Sequence, residues 1–302
     1  MHATQNAAVN LDGILPPCAT PFANEEIDLA GLRTNVRRWM RTGLRGLVLL
    51  GSNGEAPFID RDEIERVVAT ARDDVPADRA LVVGAGREST RQTIAACRLA
   101  ARAGADAVLV LTPTVFRAQL TPDALLRHYR AVADEAPAPV LLYNHPAATG
   151  VNLTPALARS LAEHPNIVGI KESSGDIAVV ADLVTQTPDG FHVVVGVAPT
   201  LYPSFVCGAD GGVVAVANAI PELCVRLHEH VRDGRHEEAL ALQRLISPLG
   251  RAVTTTYGIP GLKFAMELAG YVGGPPRSPL APVGDEGKRA ITAMYEAVMA
   301  AA

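Results

Sequence analysis

Lys171 ends the apolar run Ile167-Val168-Gly169-Ile170. An amine at the end of a buried strand loses hydration, which disfavours its charged form, and a neutral amine is a nucleophile towards a ketone carbon. The alternative is a lysine whose stem lies on apolar surface while its head reaches water. Tyr143 ends a second run, Val140-Leu141-Leu142. A phenol beside the amine can carry protons during carbinolamine formation and C–C bond cleavage, whereas an ordinary lining aromatic needs no such partner. Gly51-Ser52-Asn53-Gly54 follows a third run, Leu47-Val48-Leu49-Leu50. Its consecutive backbone N–H groups and hydroxyl have the makings of an anion nest for a carboxylate, although Gly-rich turns after strands are common and a bland loop has the same composition. His145, between Asn144 and Pro146, is explained as well by solvation or packing and is left outside the chemistry. No H-x-H or H-E-x-x-H occurs, and His228 and His230 fall on different faces of a helix, so no metal site is expected. No cofactor is expected either.

Chemistry from several strand ends requires a fold that brings those ends to one rim. Short β-branched runs alternate with longer stretches of helical period from Ile14 onward, the pattern of parallel strands joined by crossover helices, and counting from Ile14 gives eight strands. The strands are apolar at nearly every position, as when both faces are covered. Gly43, Gly104 and Gly208 each sit just past a helix end, where glycine takes the left-handed cap conformation. No G-x-G-x-x-G follows the first strand, which favours a closed (βα)8 TIM barrel over an open dinucleotide-binding sheet. In a barrel the site forms at the C-terminal strand ends. Those ends are Gly51 to Glu55, Thr112 to Phe116, Tyr143 to Pro146, Lys171 to Ser173, and Gly196-Val197. Three further helical stretches, roughly 221–247, 258–271 and 284–301, exceed one closing helix. The expected organisation is a tail over 1–12, a catalytic barrel over 13–225 and a C-terminal helical domain over 226–302.

Composition narrows the function. The 302 residues carry a net charge of −5 with no basic run, so nucleic acid is not an expected partner. The first residues lack a charged segment followed by an apolar one, and no stretch reaches the ~18 apolar residues of a spanning helix, so a membrane is not expected either. Four cysteines, at 18, 97, 207 and 224, have neither metal-ligand nor disulfide-framework spacing and are expected as free thiols of a cytoplasmic protein.

From about Gly13 to about Pro282 the chain resembles the dihydrodipicolinate synthase / N-acetylneuraminate lyase superfamily, class I Schiff-base lyases built on a (βα)8 barrel with added C-terminal helices. The resemblance rests on GSNGE at 51–55, YNHPAATG at 143–150 and IVGIKESSGD at 167–176. It implies that Lys171 forms an imine with a 2-oxo acid such as pyruvate, that Tyr143 is the proton shuttle and Ser52 its helper, and that Ser52, Asn53 and Gly54 hold the carboxylate. GSNGEAPF, Glu88-Ser89-Thr90, HPNIVGIKES and YGIPGLK at 257–263 are most similar to 4-hydroxy-2-oxoglutarate aldolases, in which Ser173 and Gly196 would help hold the substrate. Two departures matter. Dihydrodipicolinate synthases carry an arginine where this chain has Ala148, which disfavours the lysine-biosynthetic reaction. Family members also place a tyrosine in the loop after strand four that completes the relay across a subunit interface, and here that stretch is Thr114-Val115-Phe116. Phe116 and Arg117 of this loop are candidate substrate contacts, Arg117 towards a distal carboxylate. The expected assembly is a homotetramer, a dimer of dimers. Besides the aldolase, three other readings stay open: a 2-oxo-3-deoxy sugar acid dehydratase or aldolase using the same imine, a dihydrodipicolinate synthase-like enzyme, and a non-catalytic 2-oxo-acid binding protein.

Overall fold

A computed structural model describes residues 9–302, so residues 1–8 of the expected tail lie outside the described residues. Eight parallel strands run in order around a barrel: β1 (Gly13–Ile14), β2 (Gly46–Leu49), β3 (Ala80–Gly84), β4 (Ala107–Leu111), β5 (Val140–Asn144), β6 (Ile167–Glu172), β7 (His192–Val195) and β8 (Gly211–Gly212). Sequence patterning anticipates eight strands, but β1 and β8 are only two residues long, and the apolar run 213–218 expected as the eighth follows β8 and is largely a 3-10 turn, Ala215–Asn218. Pro16 and Pro17 have no N–H to donate, which interrupts the ladder after β1. The barrel nonetheless closes there, because Pro17 bridges Val48 and the Cys18 amide donates to the Val48 carbonyl at 2.8 Å.

Strand residues alternate between two cores, as the two-residue period demands. Leu47, Leu49, Leu81, Val83, Val108, Val110, Leu142 and Ile170 point outward beneath the helices. Val48, Val82, Leu109, Leu141, Tyr143 and Val194 fill the interior together with Val9 and Leu11 from before β1. Each such buried Val or Leu contributes roughly 1.5–3 kcal/mol relative to exposure. Lys171 has the same parity as Tyr143 and Val194, its register partners on the two neighbouring strands. The strand pattern therefore directs it into the barrel mouth.

The crossover helices begin at side-chain caps that the sequence supplies. Ser89 accepts from the Gln92 amide, Thr121 from Ala124, Thr154 from Leu157 and Asp176 from Ala178. Of the three junction glycines, Gly104 and Gly208 take positive φ, 108° and 100°, as expected of left-handed caps. Gly43 does not. A Cβ there would lie 2.8 Å from Val225 Cγ1, so close packing explains that glycine.

The stretch expected as one helix over 221–247 is two, Pro221–Arg232 and His236–Arg251, because Gly234 takes φ 75° and ends the first. Two more helices, Gly258–Leu268 and Asp285–Ala301, complete the C-terminal part. Trp39 and Asn218 tie the helical layer to the barrel's closing seam. The Trp39 indole donates to the Asn218 carbonyl at 3.1 Å, and the buried Asn218 amide bonds Ala19, Pro17 and Ala215. All four cysteines are free, and burial pushes the Cys97 thiol up to about 12. Among the described residues no helix is long and apolar enough to cross a membrane.

Candidate active site

Lys171 and Tyr143 face each other across the β5–β6 ladder, and the lysine Nζ stands 4.1 Å from the centroid of the tyrosine ring. Both are buried, 4% exposed each. Among the described residues the amine makes no hydrogen bond or ion pair with a protein group. It is held in place by strand geometry instead. The next position on each strand supplies the brace: Asn144 and Glu172 are register partners, and the Asn144 amide donates to the Glu172 carboxylate at 2.7 Å while its carbonyl oxygen accepts from the Leu153 amide. Buried and fully engaged, this pair fixes the two strand ends against each other.

Ser173 and Gly196 continue the inward face beside the amine. Among the described residues the buried Ser173 hydroxyl has no protein partner, which leaves it available to a ligand atom. A Cβ on Gly196 would lie 1.9 Å from that hydroxyl and 3.1 Å from Lys171 Cε. Glycine is required there by close approach, its φ being ordinary. Gly196→Ala is therefore expected to displace both side chains, lowering turnover by about 100-fold while costing only about 1–3 kcal/mol of stability. Steady-state kinetics and urea unfolding check the two effects separately.

An open cavity of about 660 Å³ lies at this rim, within the range of small-molecule sites. Ser52 and Tyr143 line it, together with Thr112, Ala148 and Thr149 from the loops after β4 and β5. Ser52 to Gly54 form a single 3-10 turn between the left-handed residues Leu50 and Glu55, φ 53° and 56°. The turn is secured from below where the Thr20 hydroxyl donates to the Gly54 carbonyl at 2.8 Å. Asn53, Gly54, Ser173, Gly196 and Lys171 lie outside the cavity lining, and the lysine meets the cavity's wall through Tyr143.

The β4 loop goes another way. Phe116 is 78% exposed with φ 57°, and Val115 is 49% exposed, so neither touches this chain's cavity. Arg117 donates to the Thr114 carbonyl at 3.0 Å and packs over Gly150, where a Cβ would lie 2.6 Å from a guanidinium nitrogen. It too lies outside the lining.

Three neighbours of the site, His145, Arg87 and Glu88, are given no chemistry by the sequence reasoning. His145 stacks on Tyr143 with ring centroids 5.8 Å apart, and burial, followed by the Lys171 charge, holds its imidazole below the usual range. Arg87 and Glu88, immediately after β3, line the cavity; their position at a strand end was the available signal. Glu55 also lines it and forms a buried ion pair with Lys263 at 2.7 Å. Among the described residues no group of three or more His, Cys, Asp or Glu is placed to hold a metal ion.

Comparison with known proteins matches this arrangement to one family. Residues 10–298 match the dihydrodipicolinate synthetase family. The chain is 36% identical over 274 residues to a 4-hydroxy-tetrahydrodipicolinate synthase of Methanopyrus kandleri, covering 89% of this chain and 90% of that one. It is also 36% identical over 295 residues to an Emericella nidulans protein named "Probable 4-hydroxy-2-oxoglutarate aldolase, mitochondrial", covering 95% and 94%. Among solved structures, dihydrodipicolinate synthase of Thermotoga maritima superposes with a TM-score of 0.92 at 29% identity, covering 96% of this chain and 99% of that one. YagE of E. coli K12, a prophage protein of the dihydrodipicolinic acid synthase family solved in complex with pyruvate, has a TM-score of 0.89 at 29% identity, covering 95% and 98%. The chain thus belongs to the dihydrodipicolinate synthetase family and is a lyase of the class I type.

Proposed function

We propose that this lyase is a pyruvate-dependent aldolase that cleaves or forms a 4-hydroxy-2-oxo acid such as 4-hydroxy-2-oxoglutarate through a Schiff base on Lys171. The observation that carries the proposal is the buried, unpaired Lys171 amine 4.1 Å from the Tyr143 ring at the mouth of a parallel barrel. In the cleavage direction Lys171 Nζ attacks the C2 ketone and water leaves, giving the imine. Tyr143 takes the proton from the 4-hydroxyl, the C3–C4 bond breaks, and its electron pair flows to the imine nitrogen as an aldehyde such as glyoxylate departs. The resulting enamine takes a proton at C3, and water hydrolyses the imine to release pyruvate and the free amine. Ser52, Asn53 and Gly54 hold the carboxylate beside the C2 carbon, with Ser52 also in the proton path. Ser173, through its unpartnered hydroxyl, and Gly196, by leaving room for it, position the substrate next to Lys171.

Ala148 lines the cavity where the resembling synthases place an arginine, which favours the aldolase over the lysine-biosynthetic condensation. Incubation with 4-hydroxy-2-oxoglutarate is expected to release pyruvate, read as NADH loss with lactate dehydrogenase. Consumption of a 3-deoxy-2-oxo sugar acid without pyruvate release would favour the dehydratase instead.

The exposed Val115-Phe116 pair supports assembly into a tetramer in which β4 loops of two subunits meet. A solved structure with a TM-score of 0.92 is described as a monomeric dihydrodipicolinate synthase variant. Light scattering is expected to return four times the chain mass of 31.7 kDa, and a monomer would refute the assembly.

A further inference from the structure

We propose that Arg87 recognises a second, distal carboxylate on the substrate, making the site selective for dicarboxylic 2-oxo acids. The inference deepens the aldolase reading and rests on it for the 2-oxo head of the ligand.

Arg87 follows β3 and contributes the only cationic side chain among the described residues that line the 660 Å³ cavity. Among the described residues its guanidinium donates one protein hydrogen bond, 2.7 Å to the neighbouring Gly86 carbonyl, and forms no ion pair. Burial without a compensating carboxylate pulls it below its usual range, so an anion arriving from solvent restores a partner that the fold withholds. The two carboxylates in the same lining are committed elsewhere. Glu55 pairs with Lys263 and accepts from the Arg277 amide at 2.8 Å. Glu88 accepts from the Thr114 amide and hydroxyl and from the Val115 amide. Desolvation works against its charge, but those bonds prevail and hold its carboxyl below the ordinary range.

The Arg87 backbone is fixed by the buried Thr93 hydroxyl, which accepts from the Arg87 amide at 3.1 Å and donates to its carbonyl at 3.1 Å. A planar fork on an anchored backbone suits two-point recognition of a carboxylate. The cavity's other wall carries Ala148, so positive charge reaches this site from the β3 loop and not from the β5 loop. Arg117 packs outside the lining and does not compete for the role. Arg87 also borders a smaller surface cavity of about 300 Å³ beside Arg61 and Gln92, which gives the contrary outcome a structural basis: a guanidinium that serves that outer face is indifferent to the ligand's tail.

The test is calorimetric binding of 2-oxoglutarate and of 2-oxobutyrate, which share the 2-oxo acid head and differ in the distal carboxylate. Wild type is expected to prefer 2-oxoglutarate. Arg87→Met is expected to weaken 2-oxoglutarate by about 10- to 100-fold, the scale of a charge-assisted pair, and 2-oxobutyrate by less than about 2-fold. Arg87→Lys restores part of the loss and shows that a folded barrel is being measured. No preference in wild type, or equal losses for both acids in Arg87→Met, overturns the proposal. Failure of the Schiff-base reading registers separately, as wild-type protein that binds these acids but gives no borohydride-stable adduct.

Discussion

Lys171→Ala is expected to lower aldol cleavage by roughly 10⁴-fold or more, the scale on which loss of a covalent nucleophile acts, while leaving the barrel folded. Among the described residues the side chain makes no protein hydrogen bond whose partner would be stranded, and the strand's pairing is by backbone. The change removes the amine and its buried stem, a packing loss that strands no polar partner. Tyr143→Phe separates the roles. It preserves the ring that packs in the barrel interior with Leu141 and Val194 and removes only the hydroxyl, so turnover is expected to fall by about 10²–10⁴-fold while imine formation with pyruvate persists on longer incubation. Equal loss of adduct and turnover in Tyr143→Phe would place the phenol's role at imine formation and not at C–C cleavage. Single-turnover mixing with pyruvate, compared with steady-state kinetics, distinguishes the two.

The second large effect lies behind the site. Lys263 and Glu55 are both 1% exposed, with Nζ and Oε1 2.7 Å apart, and Lys263 also donates to the Pro275 carbonyl at 2.8 Å. Burial pulls the Lys263 ammonium below its usual range, opposed by the hydrogen bond and charge of Glu55. Removing one member of such a pair leaves an uncompensated charge in a dry interior, so Lys263→Met is expected to cost about 3–5 kcal/mol. Lys263→Met with Glu55→Gln is expected to recover part of that loss, since the stranded charge is gone. Urea unfolding measures both, and a single-variant loss under about 1 kcal/mol would show that Glu55 finds solvent or a proton. The pair also has a functional consequence. Glu55 directly follows the Ser52–Gly54 turn and lines the cavity, so the C-terminal helix Gly258–Leu268 braces the proposed carboxylate nest from behind. Nearby, Arg277 joins Glu63 and the Phe58 and Glu25 carbonyls in the same corner.

What the sequence discloses follows from how local each signal is. Lys171, Tyr143 and Ser52 are legible because each terminates an apolar run, and a barrel gathers strand ends on one rim. The shared inward face of Lys171 and Tyr143 follows from the two-residue period of their strands, whereas Ser52 lies in the turn beyond its strand. Arg87 has the same kind of position, but Gly86-Arg87 reads like any solvated loop until its missing ion partner is seen. The Glu55–Lys263 pair joins distant parts of the chain, and neither GSNGE nor YGIPGLK indicates by itself that the two charges meet. The break at Gly234 was hidden because apolar periodicity resumes immediately in the next helix. Arg117 has the chemistry of a carboxylate ligand, yet one hydrogen bond to Thr114 and its packing over Gly150 set its direction.

The central claim is that Lys171 does the covalent chemistry, and trapping the imine tests it without any assumption about the aldehyde half. The protein is incubated with pyruvate and sodium borohydride, its intact mass is read, and the modified peptide is located. The expected result is one reduced pyruvyl group per chain, on Lys171, absent from Lys171→Ala. Unchanged mass with pyruvate and with longer 2-oxo acids, or an adduct on another lysine, would contradict the account.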